Sequence, residues 1–195
     1  MSNIFKIDTN ELVGVVDEKD LEIEITELSI FIHKHPLLSK VIPEFVGVLP
    51  NIKMTNLVKR MKMTMKLYNG LGLSANQCGI SQRVFVIGTD QFQMACINPK
   101  VISVSEESEK GQEGCLSFPA FFLNISRPKW VEVEYTNENG LLTKTTLYGL
   151  TARCYLHELE HLNGAKFTQH VGPVSISQAK RKQTKMIKKM TKLSK

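Results

Sequence analysis

Tryptophan occurs once in this 195-residue chain and aromatic residues make up only 7% of it. Four cysteines, Cys78, Cys96, Cys115 and Cys154, fall at no framework spacing, which excludes a disulfide-stapled scaffold and favours a reducing compartment. No run of about 18 apolar residues is present, so no membrane association is expected. A basic-then-apolar leader is also missing, because residues 11–27 are rich in Glu and Asp instead. These absences predict a soluble, cytoplasmic protein, with an organelle or a phage-infected host cell as the other settings. With 42% hydrophobic residues the chain is long enough for one core and needs no second domain.

Acidic residues are lacking altogether from residues 180–195, which hold eight Lys or Arg. The other 17 basic residues face 19 acidic ones, so the formal charge of +6 resides entirely in this tail. Ile176, Ala179, Met186, Ile187, Met190 and Leu193 form an interrupted apolar stripe along it, which predicts a basic amphipathic helix or a solvated tail. We therefore divide the chain into residues 1–175 and a basic C-terminal segment, 176–195.

Periodicity sets the layout. Met54, Leu57, Val58, Met61, Met65 and Tyr68 recur at helical spacing before Asn69-Gly70, predicting an amphipathic helix with its methionines in the core. Apolar runs at 84–87, 94–97 and 101–104 read as strands, and 131–135 alternates before the Asn139-Gly140 turn and a strand over 141–147. Strands in the middle and helices on the flanks predict an α+β fold, with antiparallel strands packed around a central helix.

That central helix carries His157-Glu158-Leu159-Glu160-His161. Imidazoles four apart on a helix project from one face and can hold one divalent metal, while the glutamate between them moves protons. Thr151 is the expected N-cap, Leu150, Cys154, Leu159 and Leu162 the apolar side, and Asn163-Gly164 the stop. A catalytic metal needs a third protein ligand and an open position. The extended metalloprotease pattern would have a third histidine where Phe167 stands, so Cys115, in Glu113-Gly114-Cys115-Leu116-Ser117, is the better candidate.

With these segments the chain resembles the peptide deformylases, whose motifs G-x-G-x-A-A-x-Q, E-G-C-L-S and H-E-x-D-H occur in this order. Here they read Gly70-Leu71-Gly72-Leu73-Ser74-Ala75-Asn76-Gln77, Glu113 to Ser117, and His157 to His161. The likeness runs from about His35 to Phe167. It implies that Cys115, His157 and His161 ligate the metal, that Glu158 transfers protons, and that Gln77 and the Leu116 N–H stabilise the oxyanion. Gly70, Leu71, Gly72 and Cys154 would line the substrate site. The implied reaction removes the formyl group from the N-terminal methionine of newly made polypeptides and releases formate. One divalent ion per chain is implied, Fe2+ in the cell, with Zn2+, Ni2+ or Co2+ in a purified form. The partners implied are formyl-methionyl nascent peptides and a ribosome met by the basic C-terminal segment; no DNA is expected.

Departures stand beside the matches. Glu160 replaces the usual aspartate, Leu156 the usual glutamine, and Ser74 an alanine, whose added hydroxyl is expected to bond to nearby backbone. Phe121 and Phe122, where many relatives are polar, are read as packing residues, and His33, His35 and His170 as surface or capping residues. A zincin-type metallopeptidase and an inactive deformylase-like ribosome-binding module are the alternatives. The short form and altered third motif suit a bacterial, organellar or phage-encoded member alike.

Overall fold

The computed structural model describes residues 26–193; most of the acidic stretch 11–27 lies outside them, as does the side chain of Leu193. Helix α1 (Ile52–Leu67) precedes seven strands: β1 (Gly72–Ser74), β2 (Val84–Gly88), β3 (Gln93–Val104), β4 (Ser108–Cys115), β5 (Phe118–Pro128), β6 (Trp130–Thr136) and β7 (Leu142–Tyr148). Helices α2 (Gly149–Leu162) and α3 (Pro173–Leu193) complete the chain. Five strands form an antiparallel sheet in the order β1-β2-β3-β6-β7, and β4 and β5 form a separate antiparallel hairpin. The expected α+β class is what the structure has.

Alternation along β2 explains how one sheet buries both faces. Val84 and Val86 point to α1, where they meet Met54, Val58, Met61 and Met65. Phe85 and Ile87 point the other way, onto Ala152, Tyr155, Leu159 and Leu162 of α2. The methionine stripe is therefore core, each buried side chain contributing about 1.5–3 kcal/mol. Asn51 caps α1 by accepting the Met54 N–H at 2.9 Å. On its far side α2 meets β5 of the hairpin, so the helix bearing the two histidines lies between the two sheets.

The structure departs from the sequence reading in three places. The runs at 94–97 and 101–104 are one strand, β3, interrupted where its register with β6 slips between Ile97 and Lys100. Asn98 stands there at φ 51°, and its side chain accepts from Phe45 N (2.7 Å) and donates to Phe45 O (2.9 Å), so tertiary contacts stabilise the bulge. Strands β4 and β5 were not foreseen: β4 is mostly exposed and polar, while β5 does alternate buried and exposed residues. Thr151 is not the N-cap of α2, which starts two residues earlier at Gly149 behind Tyr148. The helix does end at Asn163, with Gly164 at φ 71° where an L-residue would be strained.

Helix α3 lays Ile176 and Ala179 against Phe118, Phe121, Leu123 and Ile125 of β5, and Gln183 donates to the Pro119 carbonyl at 2.7 Å. Farther along, Met186, Ile187 and Met190 are exposed among the lysines. Among the described residues no helix is long and apolar enough to cross a membrane.

Candidate metal centre

His157 and His161 lie one turn apart on the face of α2 that meets the β4–β5 hairpin. Cys115 ends β4, and the alternation of that strand points Cys115 and Glu113 the same way, toward α2. One donor atom from each of Cys115, His157 and His161 falls within 4.8 Å of the others, and Cys115 Sγ is 3.1 Å from His161 Nε2. This is close to the roughly 3.5 Å between donors that a tetrahedral thiolate and imidazole set requires. His157 Nδ1 is 3.0 Å from Glu113 Oε2, which leaves Nε2 as the atom able to ligate a metal. His161 Nδ1 is buried with no hydrogen-bond partner, so only its Nε2 is engaged. A soft thiolate on a half-buried cysteine beside two buried imidazoles fits a borderline transition-metal ion such as iron or zinc.

A network of charges holds these donors. Glu113 Oε1 accepts from Arg127 Nε (2.9 Å) and Arg153 Nη1 (2.8 Å), while Oε2 accepts from Arg127 Nη2 (3.0 Å) and from His157. Arg127 also forks onto Glu160, through Nη2 at 3.0 Å and through a closer contact from Nη1, and Glu160 meets His170 Nε2 at 2.8 Å. Arg153, one turn before His157, further donates to the carbonyls of Ile125 and Glu109, fastening α2 to the hairpin. Neither Glu160 nor His170 touches the donor set directly, and Glu160 answers Arg127 from the edge of the site.

Two polar groups sit on the opposite side. Gln77 Oε1 accepts the Ser74 N–H at 2.8 Å, and its Nε2 donates to Ser117 Oγ (3.2 Å) and Cys115 Sγ (3.5 Å). Phe31 N donates to the Gln77 carbonyl (2.7 Å) and His33 N to that of Ser117 (2.9 Å), so one N-terminal stretch braces both loops. Ser74 Oγ lies 2.6 Å from Glu158 Oε2 and 3.0 Å from the Glu158 carbonyl.

Burial and partners divide the titrating groups. Burial pushes the Glu113 carboxyl upward, but hydrogen bonds from Arg127 and His157 overcome it and hold the group far below the usual carboxylate range. Burial favours neutral His157, yet hydrogen bonds to Cys115 and Glu113 raise it to about 10. Glu158 is raised by burial, against opposing pulls from His157 and Ser74. Burial also pushes the Cys78 and Cys154 thiols up to about 12, which leaves them protonated and unsuited to ligation.

A family model described as polypeptide deformylase matches residues 27–191. The chain belongs to the peptide deformylase family. It is 42% identical over 123 residues to the peptide deformylase of Thermotoga maritima, covering 63% of this chain and 74% of that protein. The peptide deformylase of Synechocystis is 37% identical over 133 residues, covering 65% and 71%. Among solved structures, that of the T. maritima peptide deformylase superimposes with a TM-score of 0.72 at 36% identity, over 75% of this chain and 99% of that one. A Synechococcus elongatus peptide deformylase in complex with actinonin gives 0.76 at 32% identity, over 80% and 86%. As a deformylase the protein is a hydrolase that removes the N-formyl group from nascent peptides. The family depends on a metal, and among the described residues Cys115, His157 and His161 form a group able to hold one. Neither the metallopeptidase nor the inactive-module alternative is favoured by these likenesses.

The other residues singled out in the sequence lie around this deformylase site. Leu71 and Cys154 line an apolar pocket with Ile87, Thr151 and the exposed Leu150. Gly70 faces the Leu116 side chain, while Gly72 lies against the Glu158 carboxylate. Phe121 is buried in the hairpin core; Phe122 is half-exposed, its ring over Gly114. Phe167, which broke the protease pattern, is buried with its ring 5.3 Å from that of His157. His35 caps a short turn by accepting the Leu37 N–H at 3.3 Å, as expected. His170 is a surface residue as expected, and from there it joins the Glu160 and Arg127 network. One expectation is corrected: the Ser74 hydroxyl reaches across to the Glu158 carboxylate and carbonyl of α2, 84 residues on. The bracing roles of Glu113, Arg127 and Arg153 were missed, although three ionisable residues close to the motifs are a readable signal.

Proposed function

We propose that this protein deformylates formyl-methionyl nascent peptides with Cys115, His157 and His161 as metal ligands and Glu158 as the proton carrier. The convergence of those three donors beside a buried glutamate carries the reading. A divalent ion held there supplies Lewis acidity, lowering the pKa of water and polarising the formyl carbonyl. Glu158 takes the water's proton and later delivers it to the departing amine. Gln77 Nε2 and the Leu116 N–H donate to the formyl oxygen as it becomes negative, and both are held before reaction begins. The outer edge of β1, with Gly70 and Leu71 leading into it, receives the peptide backbone, and the pocket of Leu71 and Cys154 receives the methionine side chain.

The working ion is ferrous iron in the cell, with Zn2+, Ni2+ or Co2+ able to occupy the same donors after purification. The reaction belongs to the cytoplasm, where formylated chains emerge. Residues 1–175 do the chemistry, and residues 176–195 use their exposed lysines with Met186 and Ile187 to approach the ribosome. The decisive experiment reconstitutes the protein anaerobically with ferrous iron and follows formate release from a formyl-methionyl peptide. Release is expected; its absence alongside cleavage of an unformylated peptide would overturn the assignment. For the tail, replacing Lys185, Lys188, Lys189 and Lys192 by Glu keeps the packed start of α3. Salt-dependent ribosome binding should then fall, and unchanged binding would refute docking.

A further inference from the structure

Ser74 contributes a polar atom that the reaction above leaves unused. Its side chain is fully buried where β1 passes into the turn that bears Gln77. A serine hydroxyl has one proton, and two acceptors of the same residue compete for it: Glu158 Oε2 at 2.6 Å and the Glu158 carbonyl at 3.0 Å. The shorter contact, to the carboxylate oxygen, is the stronger. From the other side Gly72 closes on the same carboxylate, since a Cβ built there would stand 2.4 Å from Glu158 Oε1. Neither Oε1 nor Oε2 can swing freely between these two neighbours.

We propose that Ser74 is a positioning residue for deformylation: its hydroxyl ties down Glu158 Oε2, so that Oε1 is the oxygen that exchanges the proton. This rests on Glu158 being the proton carrier. Glutamate has three side-chain torsions, and the end carboxylate rotates over a broad well unless a partner fixes it. With the hydroxyl removed, Oε2 is left without its donor in a buried site and the carboxylate turns to find another. Misplacement of a reacting group by about 1 Å costs up to 100-fold in rate, so about a tenfold loss is expected for a carboxylate that remains nearby but turned.

The test uses the full chain loaded with cobalt and the variants Ser74→Ala and Ser74→Thr. For S74A we expect unchanged metal content, KM within twofold of wild type and kcat lowered about tenfold, with S74T, which restores the hydroxyl, within threefold of wild type. A crystal structure of S74A should show the Glu158 carboxylate rotated or divided between two orientations. A kcat within twofold of wild type, or Glu158 unmoved in that crystal, would overturn the proposal. So would loss of metal or a raised KM in place of the lowered kcat, because Ser74 would then be structural. If the wild-type protein releases no formate from a formyl-methionyl peptide, the functional reading fails instead, and the orientation of Glu158 in S74A still decides on the tie.

Discussion

Replacing Glu113 by Gln alters one atom of the carboxylate and should weaken both the fold and the metal site. All four neighbours of this carboxylate are donors: Arg127 Nε and Arg153 Nη1 at Oε1, Arg127 Nη2 and His157 Nδ1 at Oε2. An amide must turn its NH2 toward one of these pairs, so two attractive contacts become donor against donor whichever way it is placed. Arg127 keeps Glu160 as a partner, but Arg153 loses its carboxylate and the buried positive charge is no longer balanced. Breaking a buried ion pair from one side costs about 3–5 kcal/mol. We take about 3 kcal/mol, because Glu160 and the Ile125 and Glu109 carbonyls still accept from the two arginines. In a chain of this length that is a fall of roughly 6–12 °C in Tm. His157 loses the acceptor that sets its tautomer, so metal affinity should also fall about 10- to 100-fold. Urea denaturation of the metal-free protein and competition with a metal chelator measure the two effects separately. A loss below 1 kcal/mol together with wild-type metal affinity would refute the view that Glu113 organises the site.

Glu158→Gln should retain its metal but lose about 100- to 10,000-fold in kcat, the range for a general acid and base, as followed by formate release; a loss under tenfold would remove Glu158 from the chemistry. Cys115→Ala should abolish stoichiometric metal binding, and full occupancy by elemental analysis would show that the thiolate is not a ligand. Because Glu113 is held below its ordinary value of 4.5 by Arg127 and His157, its contribution to stability is complete above that pH and is lost as pH falls below it. Urea midpoints measured from pH 6 to pH 3 should therefore fall more steeply for wild type than for E113Q, and parallel curves would contradict this. Cys154→Phe should fill the pocket beside Leu71 and raise KM for formyl-methionyl peptides at least tenfold with metal retained, whereas an unchanged KM would place the methionine elsewhere.

Elements whose cause is local could be read from the chain. The methionine stripe of α1 repeats at helical period and is capped by Asn51, the strand over 84–88 is buried in consecutive residues, and that over 131–135 alternates buried with half-buried ones. Strand β4 could not, because all of Ser108 to Gln112 but Gly111 face water and its apolar partners lie in β5, whose own alternation of buried and exposed residues was legible but passed over. The start of α2 was misplaced for a similar reason: Gly149 N bonds to the Lys129 carbonyl, a contact 20 residues away that outweighs the capping preference of Thr151.

The same line separates the parts of the site. His157, Glu158 and His161 belong together in the sequence alone, since a helix brings i and i+4 to one face whatever surrounds it. Cys115 and Gln77 joined them through ordered motifs. What only the tertiary structure decided is what each carboxylate touches. Glu113 gathers Arg127, Arg153 and His157 because the hairpin folds onto α2, Glu160 finds Arg127 and His170 rather than the donor set, and Ser74 reaches Glu158 because β1 packs against the same helix. Those contacts join residues up to 84 positions apart, and their strength comes from exclusion of water, which no stretch of sequence carries by itself.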